Sequence, residues 1–542
     1  MWKKLLITGC VTFSLLSGGT LSAQPSCEIK EEVTSEQLDR TQKELVAMMK
    51  ELKNDSYFQT ELDKAAVQSS LSKRMAAYKD LTVRLLSVLE IQAELEWMKP
   101  EAIQEALGIM KKSSGFDAVL ADKRFGELKS LLAGGFDGIY TGDAQAIDKA
   151  NKTLTLKRKL MLMSPDVNVD KMLTVKFDLG ERANFVGAGS LGIQPNNWSN
   201  LSSASRKNFK AQLVELSGLQ SGELSEKVLY KPAVDGSSVT DLVLNWDGKR
   251  LMFTALDTTR RWQVHELDIN NGEAKQVTNI PEPDLEFFDG TYLPDGRMLA
   301  ISNIGYQGVP CVNGSDAVGN MVLYDPSNGY LRRLTFDQDA NWHPVVMANG
   351  KVMYVRWEYT DLTHYFSRIV MHMNPDGTEQ KSLYGSGSMF PNSIFDVQPL
   401  PKHTNRFVGV ISGHHGVARS GRLMIFDPAK SRKEEKGMIQ ELPFRGRPII
   451  PEVKDELVNG VWPQFIKPYP LTDETFLVTA KLSPYSRWGI YLVDIYDNLT
   501  LVANADDAGM IYSVPVKSTP IPPAIPDRIK PNEKEASVFI QD

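Results

Sequence analysis

Three of the seven histidines stand in two short strings, Trp342-His343-Pro344 and Gly413-His414-His415-Gly416, and His364 lies between them. Neutral imidazole is the commonest protein ligand for a divalent metal and the side chain best placed to move protons near neutrality. An adjacent pair such as His414-His415 rarely holds one ion alone. It would need help from other segments, and the candidate helpers on the same face are His343, His364, Glu358, Asp361, Asp339 and Asp316. The candidate ligand or metal residues are therefore His343, His364, His414, His415, Glu358 and Asp361. Three readings stay open for them: hydrogen bonds that fix loop shape, a divalent metal ion, or direct contact with a ligand or reacting group. No residue can be given a catalytic role. The sequence has no Gly-x-Ser-x-Gly elbow, no His-Glu-x-x-His and no phosphate-cradling loop ending in Lys-Ser/Thr. It also has no Cys-x-x-Cys-His, so no covalent c-type haem is expected.

The elements that must position these residues are short strands. From about Met172 the apolar pattern has a strand period, and four runs form a unit: Leu242-Val243-Leu244, Leu251-Met252-Phe253, Trp262-Gln263-Val264-His265 and Lys275-Gln276-Val277. The first turn of the unit recurs as Asp247-Gly248, Asp295-Gly296 and Asn349-Gly350. A later turn recurs as Asn271-Gly272, Asn328-Gly329 and Asp376-Gly377. Such pairs are strong hairpin signals because they tolerate positive φ. Four strands recurring roughly every 50 residues is the signature of propeller blades. One blade is expected over residues 172–230, with further units opening near Thr240, Thr291, Pro344, Ile394 and Phe465. The reading is mainly β: a six-bladed β-propeller, seven blades being the alternative count. In a four-stranded antiparallel blade, turns after the first and third strands share one end, while the loop after the second strand and the crossover share the other. The short Asp-Gly and Asn-Gly turns take the first end. His343, His364, His414 and His415 then belong to loops of the second end, converging on one mouth, which could also receive a small ligand. Trp342, Trp357, Trp462 and Trp488 are expected as blade packing or as a stacking platform. Arg356, Arg419 and Arg487 would either gather an anion at the mouth or pair with carboxylates such as Glu358 or Asp361.

Before the propeller, the pattern is helical. Leu81, Leu85, Val88, Leu89, Ile91 and Leu95 recur at helical steps with Arg84, Glu90 and Glu94 in between, and Lys99-Pro100 ends the run. Further helices are suggested over residues 37–52, 101–112 and 124–132. This region is read as a helical bundle or docking appendage, with a partner-binding coiled coil as the alternative. The expected divisions are 1–23 signal peptide, 24–165 helical region, 166–514 propeller and 515–542 proline-rich strap and terminal strand. A linker near residues 155–172 would make helices and propeller separable.

The first segment has the form of an export signal: Lys3-Lys4, an apolar stretch and Leu21-Ser22-Ala23 before Gln24. An exported protein, periplasmic or at the cell surface, is expected. Ile7-Thr8-Gly9-Cys10 offers lipoprotein cleavage as the alternative. No other stretch has the apolar length of a membrane helix. Export permits a disulfide between Cys27 and Cys311, though connectivity cannot be deduced from sequence. The net charge of −6 gives no footprint for nucleic acid. The tail, residues 515–531, carries six prolines and reads as an extended strap or linker. Val538-Phe539-Ile540 resembles a strand beginning, which suggests a closing strand or a longer polypeptide.

Several blocks are recognisable together: residues 307–316 (Gln307 to Asp316), Arg356-Trp357-Glu358-Tyr359-Thr360-Asp361, His372-Met373-Asn374-Pro375-Asp376-Gly377-Thr378, Pro391-Asn392-Ser393-Ile394-Phe395, Gly413-His414-His415-Gly416 and residues 488–494 (Trp488 to Asp494). From about Thr240 to Asp542 they resemble the middle domain of the hydrazine synthase alpha subunit and its exported bacterial relatives. That resemblance implies a six-bladed propeller. It does not imply hydrazine synthesis, whose haems lie outside the propeller. Two functions follow as expectations. The first is an exported ligand-binding or scaffolding propeller whose helical region docks a protein partner. The second is a metal-assisted enzyme with its site at the histidine-bearing mouth.

Overall fold

A computed structural model describes residues 33–178, 199–207, 209–234, 236–358, 368–413, 419–505, 508–530 and 532–535. Among the described residues the first elements are six α-helices: α1 (Ser35–Met49), α2 (Ser56–Ala66), α3 (Leu71–Leu95), α4 (Pro100–Met110), α5 (Ala118–Leu132) and α6 (Ala144–Met161). Thr34 starts α1 through a reciprocal capping box with Gln37, satisfying two amides that the first turn leaves open. Pro100 occupies the first turn of α4, where its missing N–H costs nothing. The predicted apolar stripe of α3 is buried at Leu81, Leu85, Val88, Leu89 and Ile91, each burial contributing about 1.5–3 kcal/mol. Sequence reading found α1, α3, α4 and α5. It places α2 and α6 inside the helical region without delimiting them, because their apolar positions are diluted by polar residues.

The rest is β. The strands β1 (Lys171–Asp178), β2 (Ala211–Ser217) and β3 (Ser225–Tyr230) form one meander. The next is β4 (Val239–Leu244), β5 (Arg250–Leu256), β6 (Trp262–Asp268) and β7 (Ala274–Gln276), the four runs read from sequence. A third is β8 (Phe287–Tyr292), β9 (Met298–Ser302), β10 (Asn320–Asp325) and β11 (Tyr330–Arg333). Then follow β12 (Asn341–Val346), β13 (Val352–Trp357), β14 (Arg368–Met373) and β15 (Lys381–Tyr384). After them come β16 (Ser393–Pro399), β17 (Phe407–Ser412), β18 (Arg422–Phe426) and β19 (Met438–Leu442). One parallel bridge, Arg368 to Ser393, joins these two meanders into a single sheet. The last full meander is β20 (Gln464–Pro470), β21 (Thr475–Lys481), β22 (Gly489–Asp494) and β23 (Leu499–Ala503).

The final strand, β24 (Ala508–Pro515), returns to the start and pairs antiparallel with β1, completing the first meander from the C-terminal end. Around the centre β4 touches β8, β8 touches β12, β12 touches β16, β16 touches β20, β20 touches β24, and β24 touches β4. The circle closes. This is a propeller-like toroid with few open strand edges. Registers also sort the loops as expected. The start of each central strand pairs with the end of its neighbour: Val239 with Ala255, Phe287 with Ser302, Asn341 with Arg356, Ser393 with Ser412 and Gln464 with Lys481. Incoming crossovers and loops after second strands therefore share one mouth.

The helices dock on the β20–β23 meander. Ile103, Leu107 and Leu160 share a core with Leu477, Ile490 and Val502. Glu90, one of the polar residues between the α3 leucines, takes Arg487 in a bidentate pair, Nε–Oε1 and Nη2–Oε2 both 2.6 Å. Lys157 of α6 is buried and donates to the carbonyls of Trp97 at 2.7 Å and Leu499 at 2.8 Å. The polar face of α3 is thus a seam against the propeller.

Candidate functional site at the propeller axis

Each central strand carries the same irregularity near its start. On β4, Thr240 pairs with Thr254 and Val243 with Met252, so two residues oppose one. That is a β-bulge, and the first extra residue, Asp241, has φ of 56°. The same two-against-one step occurs at Asp289, His343, Asp396, Lys467 and Tyr512, with φ of 54°, 54°, 49°, 50° and 73°. Left-handed backbone is unusual for any of these, least so for Asp and His. It persists because neighbours use the amide it exposes.

Four of those amides reach a side chain of the neighbouring central strand. Asp241 N–H donates to the Tyr512 hydroxyl at 2.7 Å. Asp289 N–H donates to Asp241 Oδ2 at 3.0 Å, and His343 N–H to Asp289 Oδ2 at 2.6 Å. Lys467 N–H donates to Asp396 Oδ2 at 3.0 Å. Side chains close further links. The Lys467 ammonium lies 2.8 Å from Asp396 Oδ1. The His343 ring bridges two carboxylates, Nδ1 3.4 Å from Asp289 and Nε2 3.3 Å from Asp396.

Burial alone would raise the carboxyl of Asp396, but Lys467 and His343 outweigh it and hold it below the usual range. The same balance, with His343 as the leading partner, lowers Asp289. Burial and the charge on Asp289 raise Asp241, making it the ring carboxyl that keeps a proton most readily. Lys467 is raised well above an ordinary lysine: burial opposes its charge, but Asp396, Tyr512 and the other carboxylates more than compensate.

The mouth above this ring is covered. Asn200 and Leu201 line the axial cavity together with Arg419, Trp342 and the ring residues. Arg419 is buried, donates to the Ser199 carbonyl, and lies 4.9 Å from the ring centres of both Trp342 and Phe395. Burial pushes its guanidinium down to about 10. Asn200 Nδ2 reaches the Ala317 carbonyl at 2.6 Å, so the segment after residue 198 is tied across several meanders. What remains is a cavity of about 20 Å³, room for about one water. Lys467, His343, Asp289 and Asp396 face one another here.

Of the residues singled out from sequence, His343 is at this axis. It sits on a central strand rather than on a loop, a correction whose cause is the bulge: Trp342-His343-Pro344 looks like a turn because a positive-φ residue precedes a proline inside the strand. Glu358 follows the last residue of β13 and pairs with Arg356, which also lies 3.4 Å from Asp337. It does not join the carboxylates around His343. His364, Asp361, His414 and His415 lie outside the described residues. Arg356, Arg419 and Arg487 do not gather: they sit on Glu358, at the axis and on Glu90 respectively. Among the described residues no group of three or more His, Cys, Asp and Glu side chains is arranged to hold a metal ion. Trp342 and Trp357 stack at 6.4 Å in a buried core, as packing residues do. Sequence reading missed Asp241, Asp289, Asp396, Lys467 and Tyr512. Their signal is a buried β-branched or aromatic residue followed by a polar one within each central strand: Thr240-Asp241, Phe288-Asp289, Trp342-His343, Phe395-Asp396, Ile466-Lys467 and Ile511-Tyr512.

The fold and the closed ring define a protein of the propeller class. No protein family and no curated protein matches the chain by sequence. Among solved structures it is similar to Kuenenia stuttgartiensis hydrazine synthase, with 14% identity and a TM-score of 0.50 over 68% of this chain and 49% of that one. The chain thus spans about half the length of that relative. It is also similar to TolB from Acinetobacter baumannii, at 10% identity and TM-score 0.40, covering 67% of this chain and 72% of that chain. A nidogen/laminin complex aligns at 11% identity and TM-score 0.36, covering 64% of this chain and 99% of that chain. At such identities the likeness speaks to fold alone. Among the described residues no helix is long and apolar enough to cross a membrane.

Proposed function

We propose that this protein is an exported six-bladed β-propeller that serves as a binding or scaffolding module, related in its fold to the middle domain of the hydrazine synthase alpha subunit and working without c-type haem. The single observation that supports this reading is the axial ring. Its carboxylates, lysine and histidine are committed to one another and to backbone amides of adjacent meanders. A catalytic or metal centre keeps open valences for its ligand; this ring spends most of its own on closure, with His343 Nε2 3.3 Å from Asp396 but without a hydrogen bond. The circle of central strands supports the blade count, and the Leu21-Ser22-Ala23 sequence supports export with cleavage before Gln24. Binding is then assigned to outer surfaces of the toroid and to the helical region, which gives the module a second face for a protein partner.

The alternative, a metal-assisted enzyme, turns on His414 and His415 joining His343. Metal analysis of the purified exported protein, with its ultraviolet-visible spectrum, separates the two. The scaffold reading expects substoichiometric metal and no Soret band. A stoichiometric ion that is lost when His414 and His415 are replaced by alanine overturns it.

A further inference from the structure

The end of the toroid opposite the ring is crossed by the chain's own C-terminal segment. Beyond β24, residues 516–530 run extended over the turn side of three successive meanders. Thr519 N–H donates to the Trp246 carbonyl at 2.9 Å, at the turn after β4. Asp527 receives both guanidinium nitrogens of Arg297, at 2.8 and 2.7 Å, at the turn after β8. Arg528 donates its backbone N–H to buried Asp376 at 2.6 Å and pairs its side chain with Glu379, at the turn after β14. Two glycines make room for this path. A Cβ at Gly248 would stand 2.8 Å from the Lys517 carbonyl carbon, and one at Gly350 would stand 2.2 Å from the Pro523 oxygen. Both also have positive φ, +71° and +82°, so their turns and their clearance demand the same residue.

The occupant is Ser518-Thr519-Pro520-Ile521-Pro522-Pro523-Ala524-Ile525-Pro526-Asp527-Arg528. Proline holds such a chain extended before it binds, so little conformational freedom is lost on docking. The features holding it are those of a peptide-recognition groove: backbone hydrogen bonding, a bidentate arginine for a carboxylate, and a buried carboxylate for an amide. The strap also leaves Ile521 well exposed, so it is laid on the surface rather than sealed into a core. We propose that the turn side of the propeller is a docking groove for extended, proline-rich segments ending in an Asp-Arg pair, occupied in cis by this strap. When the cis anchors let go, the groove receives a segment of the same chemistry in trans. This site is at the opposite end from the axial ring and does not depend on how that ring is read.

The test uses the full chain. An Asp527→Ala, Arg528→Ala variant removes the two strap-side side-chain anchors at the far end, leaving the groove and the Arg528 N–H to Asp376 in place; Thr519→Pro, which deletes the amide given to Trp246, is a second release variant at the near end. A fluorescent peptide of residues 516–530 is titrated against wild type and both variants, with hydrogen exchange of the strap amides measured in parallel. Saturable binding to a release variant is expected, at least tenfold tighter than to wild type. Adding Asp376→Asn should weaken that binding about tenfold. Equal binding to wild type and release variants places the peptide elsewhere and overturns the proposal. So does absence of binding to both release variants, whether the strap amides stay protected, which makes the strap a permanent staple, or exchange freely, which makes the groove unable to bind in trans.

Discussion

The axial ring and the helix–propeller seam both bury charge, and they treat it in opposite ways. At the axis Lys467 faces Asp396 at 2.8 Å and Asp396 also accepts a backbone N–H, so each group is held in its charged form. At the seam Lys157 donates to two neutral carbonyls, and burial pushes it down to about 8. Nearby Glu94 is raised to about 7, by burial and then by the charge on Glu90. Asp494 on β22 is raised by burial to about 6. Burial alone therefore does not decide ionisation. What decides it is whether the partner carries opposite charge or only a dipole. The ring behaves as a charged lock among meanders; the seam holds one charged pair, Glu90–Arg487, beside buried groups such as Lys157 and Glu94 that are shifted toward their neutral forms.

The largest effect is expected where one member of a charged pair is deleted. Lys467→Met strands Asp396 in a buried site and should cost about 3–5 kcal/mol in denaturant unfolding. Lys157→Met leaves two carbonyls without a donor but strands no tightly paired charge, so a smaller loss of about 1–3 kcal/mol is expected. A loss at Lys157 equal to that at Lys467 would erase the distinction between the two regions.

Acidity should sharpen it, because the signs are opposite. Glu94 and Asp494 have raised folded values, so the stability they contribute is complete below the ordinary carboxylate range. It is lost as pH rises through about 7 for Glu94 and about 6 for Asp494. Asp396 and Asp289 are lowered, so their contribution is present above the ordinary carboxylate range and is lost as pH falls below it. Hydrogen exchange should show the seam tightening from pH 7.5 to 5 in wild type and tightening less in Glu94→Gln, where Asp494 still titrates. Ring strands should loosen only in stronger acid. The smallest effect belongs to the exposed Arg445–Glu105 pair, which also spans helices and propeller; Arg445→Ala should change stability by less than about 1 kcal/mol.

The repeat was legible because each hairpin turn is written locally, in residue pairs such as Asp247-Gly248 that need no distant partner. The face assignment followed from those turns, and registers place crossovers and long loops together as expected. The ring was not legible because its residues share a backbone state rather than a residue type. Asp241, His343, Lys467 and Tyr512 have different chemistry, and only the bulge they occupy relates them. Histidine spacing drew attention to His343 for metal binding, while its placed partners are the carboxylates of adjacent meanders. Glu90 was hidden for a similar reason: a polar residue between leucines reads as solvent-facing until Arg487, far along the chain, is folded against it.

The central claim is that ring residues from different meanders act as one lock. A double-mutant cycle on Lys467 and Asp396, with Lys467→Met, Asp396→Asn and the pair measured by denaturant unfolding, tests it most directly. The lock predicts that the double variant is markedly less destabilised than the sum of the singles, with a coupling of about 2–3 kcal/mol. Additivity within about 0.5 kcal/mol would mean the two residues stabilise their own strands independently, and the lock would be contradicted.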